Sequence, residues 1–539
     1  MMKQPILALL LAAVSANPVP ASALNLARSL AEAGDRPAEI VIDRVADVRE
    51  PLRIPESVTL RFPLGGRLRV AEGVTVEIFG GIDAAPAAWI FEGPGRIAGH
   101  PLVPTIRPEW FAQGRYNDED YDWSPAIMKA LRLASGGVRH VSLLNRRYNL
   151  AHPLVMVPGP GPGDNFTGVV LEGAVRSSQF KLGTLLLGNT GKGKPVIETS
   201  DTDGVTLKNL GILRGTKTPG DIGLLQARAN RKTWAGDQLH ENLFIDMGSE
   251  PAANSGFGTI GVANIAAEET KYHNLQVWAN LPLLISWTGG DSDERLKKLL
   301  RTNADLKTDT ALVLRSASDL KPTDGSSNTV FALTGLGRLI AYDYVSPVVL
   351  INMGGMVDLC HTFLQKRMSS RNEAGGGRAG KGHVYAVEAW NIFQFRHRGS
   401  VEGCHGYLLN RRGLYNADVT ATIAGHGEKD LPAILLLDDG SDDTLNYHTT
   451  MYDSRFSIFT YDEERPLVQA RDLDGKQNPG RFLVRNCEFR TNQSFNKASA
   501  PSEELLARTF GTAWYFANGH IAAGSRTLLP EPADEPKQR

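Results

Sequence analysis

The segments VTLKNLGI (205–212), QLHENLFI (238–245) and KYHNLQV (271–277) share one pattern. A strand fragment leads into an asparagine, and apolar residues follow one and three places beyond it. Asn209, Asn242 and Asn274 are 33 and 32 residues apart, which is the length of one coil of a parallel β-helix with its side loops. LYNADV and LVRNCEF repeat the motif around Asn416 and Asn486. Asparagine suits such a turn because it tolerates the left-handed conformation and its amide can bond to the same amide in the next coil. The fold expected is all-β, a right-handed single-stranded parallel β-helix (a solenoid).

Upstream, VTLRF (58–62), RLRV (67–70) and VTVEI (74–78) alternate apolar and polar residues between turns at Gly65-Gly66 and Glu72-Gly73. They describe a small β region over residues 24–107. In SPAIMKALRLASGG, Ser124 is a good helix N-cap, Pro125 suits the first helical position, and Gly136 ends the helix. One isolated helix before a long β segment reads as a cap on the open end of a solenoid. The β-helix with its capping helix and insertions is expected over 108–528, with a disordered tail over 529–539. SDERLKKLLRTNADL (292–306) reads as a helix within an insertion. SSRNEAGGGRAGKG (369–382) reads as a basic glycine-rich loop without phosphate-loop spacing.

The 539 residues carry 58 basic and 59 acidic side chains, so no basic excess marks a nucleic-acid binder. A hydrophobic share of 42% excludes general disorder, and 55 glycines with 30 prolines favour turns and short strands over long helices. Residues 1–23 have the zones of a cleavable signal peptide: Lys3, an apolar run from Pro5 to Val14, then Ala21-Ser22-Ala23. That run is too short to span a bilayer, so a periplasmic or secreted protein without membrane insertion is expected. Cys360, Cys404 and Cys487 are too few and too widely spaced for a disulfide scaffold or a zinc site.

The stretch GGRLRVAEGVTVEIFGGIDAAPAAWIFEGPGRIAG (65–99), then IRPEWFA (106–112) and SPAIMKAL (124–131), resembles the N-terminal part of right-handed β-helix proteins of the pectate-lyase-like superfamily. That group includes pectate-lyase-type enzymes and phage tailspike depolymerases. Trp110-Phe111-Ala112 and Ala126-Ile127 match its Trp-Phe-Gly-Ala and Ala-Ile elements, but RYNDEDYDW replaces the usual Gly-Asp-Gly. The resemblance implies a solenoid that works on a polysaccharide, as a monomer or homotrimer. Catalytic motifs do not carry over. Gly425-His426-Gly427 and Asp438-Asp439 stand in the reverse of the polygalacturonase order, and the Asp-Pro-His-Asp signature of β-helical alginate epimerases is absent.

With the residues one and three beyond each asparagine inward, alternation turns Lys208, Glu241 and His273 outward on successive coils. Lys271, Gln276, Asp246 and Trp278 join them on the expected surface. An aromatic beside cations, carboxylates and an imidazole suits a sugar groove, with Trp278, Gln276 and Lys208 as substrate-binding residues. In QFRHRG, Arg396 and Arg398 also point outward and could neutralise a uronate carboxylate, while Lys271 or His273 removes the C5 proton. This β-elimination is the preferred expectation. Glu241 and Asp246 offer paired-carboxylate hydrolysis instead. A glycan-binding adhesin or polymer-export factor is a third reading, because outward polar residues on a solenoid also serve as plain solvated faces. No cofactor is called for; Asp438, Asp439, Asp442 and Asp443 could bind Ca²⁺ but read more simply as a solvated turn.

Overall fold

The computed structural model describes residues 26–286 apart from short breaks, and from 330 to 517 mainly strand segments. The expected signal peptide, the 292–306 and 369–382 segments, Gly425–Gly427, Asp439, Asp442, Asp443, Asn486, Cys487 and the tail lie outside the described residues.

Short strands repeat along the chain and pair in parallel with the strand one coil further on. In the main stack each coil first contributes three strands. Thr206–Lys208, Gly211–Arg214 and Ile222–Ala227, for example, are followed by Leu239–Glu241, Phe244–Asp246 and Ile260–Ile265. Among the described residues, the first two strands of each coil build a curled sheet of 21 strands, and the third builds a sheet of 10. The one antiparallel pairing among the described residues joins Glu488–Ser494 to Lys497–Ala498. This parallel, coil-by-coil arrangement is compatible with a parallel β-helix.

The asparagine corners explain the curl. Asn209, Asn242 and Asn274 have φ of 55°, 54° and 56°, the left-handed region that asparagine tolerates best after glycine. Leu207, His240 and Tyr272 lie inward two places before the corner, and Leu210, Leu243 and Leu275 lie inward one place after it. In a straight strand that odd spacing would send one set to solvent. A bend at the asparagine keeps both sets inside. The Asn242 Nδ2 amide donates to Asn209 Oδ1 at 3.1 Å, and Asn274 Nδ2 donates to Asn242 Oδ1 at 2.7 Å. At the start of this ladder, Asn209 Nδ2 donates to Glu172 Oε1 at 3.1 Å. A second left-handed column, Gly168, Gly204, Asp237 and Glu269, turns the chain into the first strand of each coil.

Further along, the corner disappears. Gln394–Glu402 runs as one strand with Phe395, His397 and Val401 inward. Asn416 accordingly lies inside the strand Leu414–Ala424 rather than at a corner, which corrects the motif reading at that position. There the pairing with Thr449–Tyr452 shifts register between Leu414 and Ala417.

The small N-terminal β region is itself a stack of three coils. Its nine strands form three parallel three-stranded sheets, as in Ala38–Val41 beside Val58–Phe62 beside Gly81–Ala84. A helix that the sequence reading did not anticipate, Leu26–Ala33, lies before the first coil with Leu26 buried in the common core. The expected helix is present as Ser124–Ser135. It packs against Arg96–Gly99 of the small stack and His140–Leu143 of the main one, so it joins two stacks rather than closing a free end. Ser124 is the first helical residue, not the N-cap. Its backbone N–H and hydroxyl both donate to Asp122 Oδ1, and Asp122 does the capping.

The core is mainly apolar and holds a polar knot in the main stack. His240 is wholly buried, and Gln226 Nε2 donates to both His240 Nε2 at 2.8 Å and Gln238 Oε1 at 2.7 Å. The Tyr272 hydroxyl donates to Gln226 Oε1, and Gln238 Nε2 donates to the carbonyls of Thr199 and Thr202. Protonating His240 would set two donors face to face, and burial pushes its pKa down to about 3. His397, buried beside the Tyr407 hydroxyl at 3.0 Å, is pushed down to about 4.

Two outcomes follow from these features. Asn242→Ala loses two amide bonds and forces alanine into the left-handed region, at a cost of about 2–4 kcal/mol. Asn242→Gly keeps the backbone at ease and should lose roughly half as much, as read from denaturant midpoints. The unfolded chain binds protons at His240 and His397 that the folded chain refuses. Stability therefore falls as pH drops from about 6.5 toward about 3, by about 1.4 kcal/mol per unit for each group in its window. His240→Leu should flatten the acid limb of a melting-temperature profile.

Candidate functional site

The outward side of the strands before the corner forms two charged columns. In one, Lys208, Glu241 and His273 are register partners on three successive coils, as the sequence spacing suggests. Lys208 Nζ lies 3.6 Å from a Glu241 carboxylate oxygen, a half-exposed pair of small energetic worth. His273 is exposed at the end of this run, and Gly335 of the next coil lies against its ring. The φ of 85° at Gly335 is in the left-handed region that suits glycine. Lys271, also exposed, sits two residues earlier on the same strand, Thr270–His273. Alternate residues of a strand share a face about 7 Å apart, so Lys271 and His273 can reach one sugar ring together.

The arginines belong to the same face but not to the same place. Lys271 pairs in register with Ala332, Ala332 with Asp358, and Asp358 with Arg396. Three strand spacings amount to about 14 Å, too far for Lys271 and Arg396 to act on one ring. Arg396 instead lies between two acids that the sequence reading missed, 3.5 Å from Asp358 and 3.2 Å from Asp418. Arg398 Nη2 also lies 3.5 Å from Asp418. These acids were findable, because each stands in register with Arg396 on a neighbouring strand.

Past the corner the surface changes character. Gln276, Asp246 and Trp278 occupy the outer side of the second strands, with Asp246 and Trp278 as register partners. There Trp278 packs edge-on to Phe244 at 5.9 Å between ring centres, within a cluster formed with Leu185, Leu187 and Leu213. Asp246 Oδ1 accepts the Gly248 backbone N–H at 3.0 Å. The corner at Asn242 thus parts Glu241 from Asp246, and the corner at Asn274 parts His273 from Gln276 and Trp278. Sequence alternation places all of these outward but cannot show that the outer surface has two sides.

Among the described residues no group of three or more His, Cys, Asp or Glu side chains is placed to hold a metal ion. Nor is any described helix long and apolar enough to cross a membrane. No protein-family model, curated protein or solved structure matches this chain.

Asp358 keeps one carboxylate oxygen, Oδ1, buried and without a hydrogen-bond partner, so the Arg396 guanidinium is its main compensation. Arg396→Ala should cost about 1–3 kcal/mol through that stranded carboxylate. Asp358→Asn combined with Arg396→Ala should recover part of the loss, and thermal melts of the two variants check this.

Proposed function

We propose that this chain is an exported, polysaccharide-active protein with a right-handed β-helix of the pectate-lyase-like kind. Its reaction is β-elimination of a uronate-containing glycan at Lys271 and His273. The observation that carries the reading is the pair itself: a lysine and a histidine on one strand, both exposed on the same face of a long stack. A polymer lying across the coils would meet both groups. Lys271 holds the uronate carboxylate and so acidifies the neighbouring C5–H bond. His273 takes the C5 proton, since imidazole is well matched to proton transfer near neutral pH. The C5–H electrons become the C4–C5 double bond, the C4–O bond breaks, and the departing oxygen gains a proton from solvent. Glu241, held by Lys208, lies one coil from His273 and orients the polar column.

Arg396 and Arg398 contact a different unit of the same polymer in this reading. Their acids leave them as hydroxyl-binding or positioning groups rather than as the neutralising pair. The export assignment rests on the leader-like residues 1–23.

The test follows ultraviolet absorbance of unsaturated uronate together with reducing ends, over a panel of acidic and neutral polysaccharides. Both signals should rise on an acidic substrate, and His273→Ala should lower kcat by about 10²–10⁴-fold. Lys271→Ala should raise KM and lower kcat together. Full activity in both variants would sink the assignment, and reducing ends without absorbance would replace elimination by hydrolysis.

A further inference from the structure

A cleft runs between the N-terminal stack and the Ser124–Ser135 helix, on a different part of the molecule from the charged columns. It consists of two adjoining cavities of about 640 and 220 Å³ that share Arg96, Ile97 and Arg132 as lining. The larger lies within the usual range for small-molecule sites, about 300–1,000 Å³. Its floor is the outer face of Leu52–Ile54, Thr75–Ile78 and Arg96–Gly99, and its wall is the end of the helix.

The lining is unevenly charged. Arg53, Arg96, Lys129 and Arg132 face it, against Glu77 and Glu92. Glu92 is already engaged by Arg69 at 3.0 Å and Arg67 at 3.4 Å. Asp164 holds Arg132 at 3.0 Å and so fixes its direction. Arg53 lies 4.3 Å over the Phe79 ring and makes no ion pair among the described residues. Lys129 Nζ reaches only the Gly93 carbonyl, at 3.5 Å, and burial pushes its pKa down, as expected for an ammonium with no countercharge. Arg53 is in register with Glu77, and Arg96 with Thr75, so Arg53 and Arg96 stand two strands and two residues apart, about 12 Å. Cations spread along a cleft match charges repeated along a chain better than a single small anion.

We infer that this cleft is a binding site for an acidic oligosaccharide, with Arg53, Arg96 and Lys129 holding carboxylates on successive sugar units. Guanidinium forks suit planar carboxylates, and Glu77 accepts from sugar hydroxyls. The site would anchor a polymer at the N-terminal end of the stack, whatever reaction the charged columns perform.

Isothermal titration with trigalacturonate tests this in the full mature chain carrying Lys271→Ala and His273→Ala, so that elimination does not consume the sugar, and the Arg53 and Lys129 variants assign the binding to the cleft. Saturable 1:1 binding is expected, weaker by about tenfold or more in Arg53→Glu and for the carboxyl-reduced trisaccharide. Lys129→Gln should weaken it in the same direction, and Arg53→Gln gives the same reading if Arg53→Glu melts early. Undiminished binding in the Arg53 and Lys129 variants would overturn the proposal. So would equal affinity for the reduced sugar, or sodium sulfate competing as well as the trisaccharide does. Elimination is assayed separately with Lys271 and His273 intact, so failure of the cleft and failure of the lyase reading give different results.

Discussion

A chain that must bury apolar residues on both sides of a corner needs one residue there that turns left-handed without strain. It must also satisfy its own polar groups. Asn209, Asn242 and Asn274 do both, and each consequence leads to the next. The bend keeps Leu207 and Leu210 in the same core although their spacing has the wrong parity for a straight strand. The same bend divides the outside into a charged side and an apolar side. What the protein can present to a ligand on this stretch is therefore set by a backbone dihedral rather than by the outward residues themselves.

Where the corner is lost, the chemistry of the surface changes with it. In Met356–Arg367, Gln394–Glu402 and Leu414–Ala424 a single strand replaces two, and there Arg396, Arg398, Asp358 and Asp418 knit the outer face together with ion pairs across strands. The earlier columns leave Lys271 and His273 exposed, while Lys208 pairs with Glu241 and Glu172 with His140. One continuous stack thus holds an open region and a self-neutralised region a few strands apart. The helix Ser124–Ser135, packed on both stacks, ties this main body to the smaller one.

Much of this was legible from residues alone. The Asn spacing, the helix over Ser124–Ser135 and the outward column of Lys208, Glu241 and His273 all follow from periodicity. The parallel pairing of residues 38–99 did not, because period-2 alternation is the same for a hairpin and for a coil. The distance from Lys271 to Arg396 was hidden too, since counting residues through an insertion does not count strands. His240 stands where its register partners are Leu207 and Tyr272, and only that alignment reveals an inward histidine.

The amide ladder also has a direction. Every rung donates toward the N-terminal end of the stack and accepts from the C-terminal side, so the side-chain dipoles of Asn274, Asn242 and Asn209 add head to tail. A hydrogen-bonded chain of this kind polarises each successive member. Its donor end meets the carboxylate of Glu172, which lies 3.1 Å from the His140 ring in the first coil. The corner is thereby a vector as well as a hinge. An anionic acceptor closes it at the one end where an unpaired N–H would otherwise point.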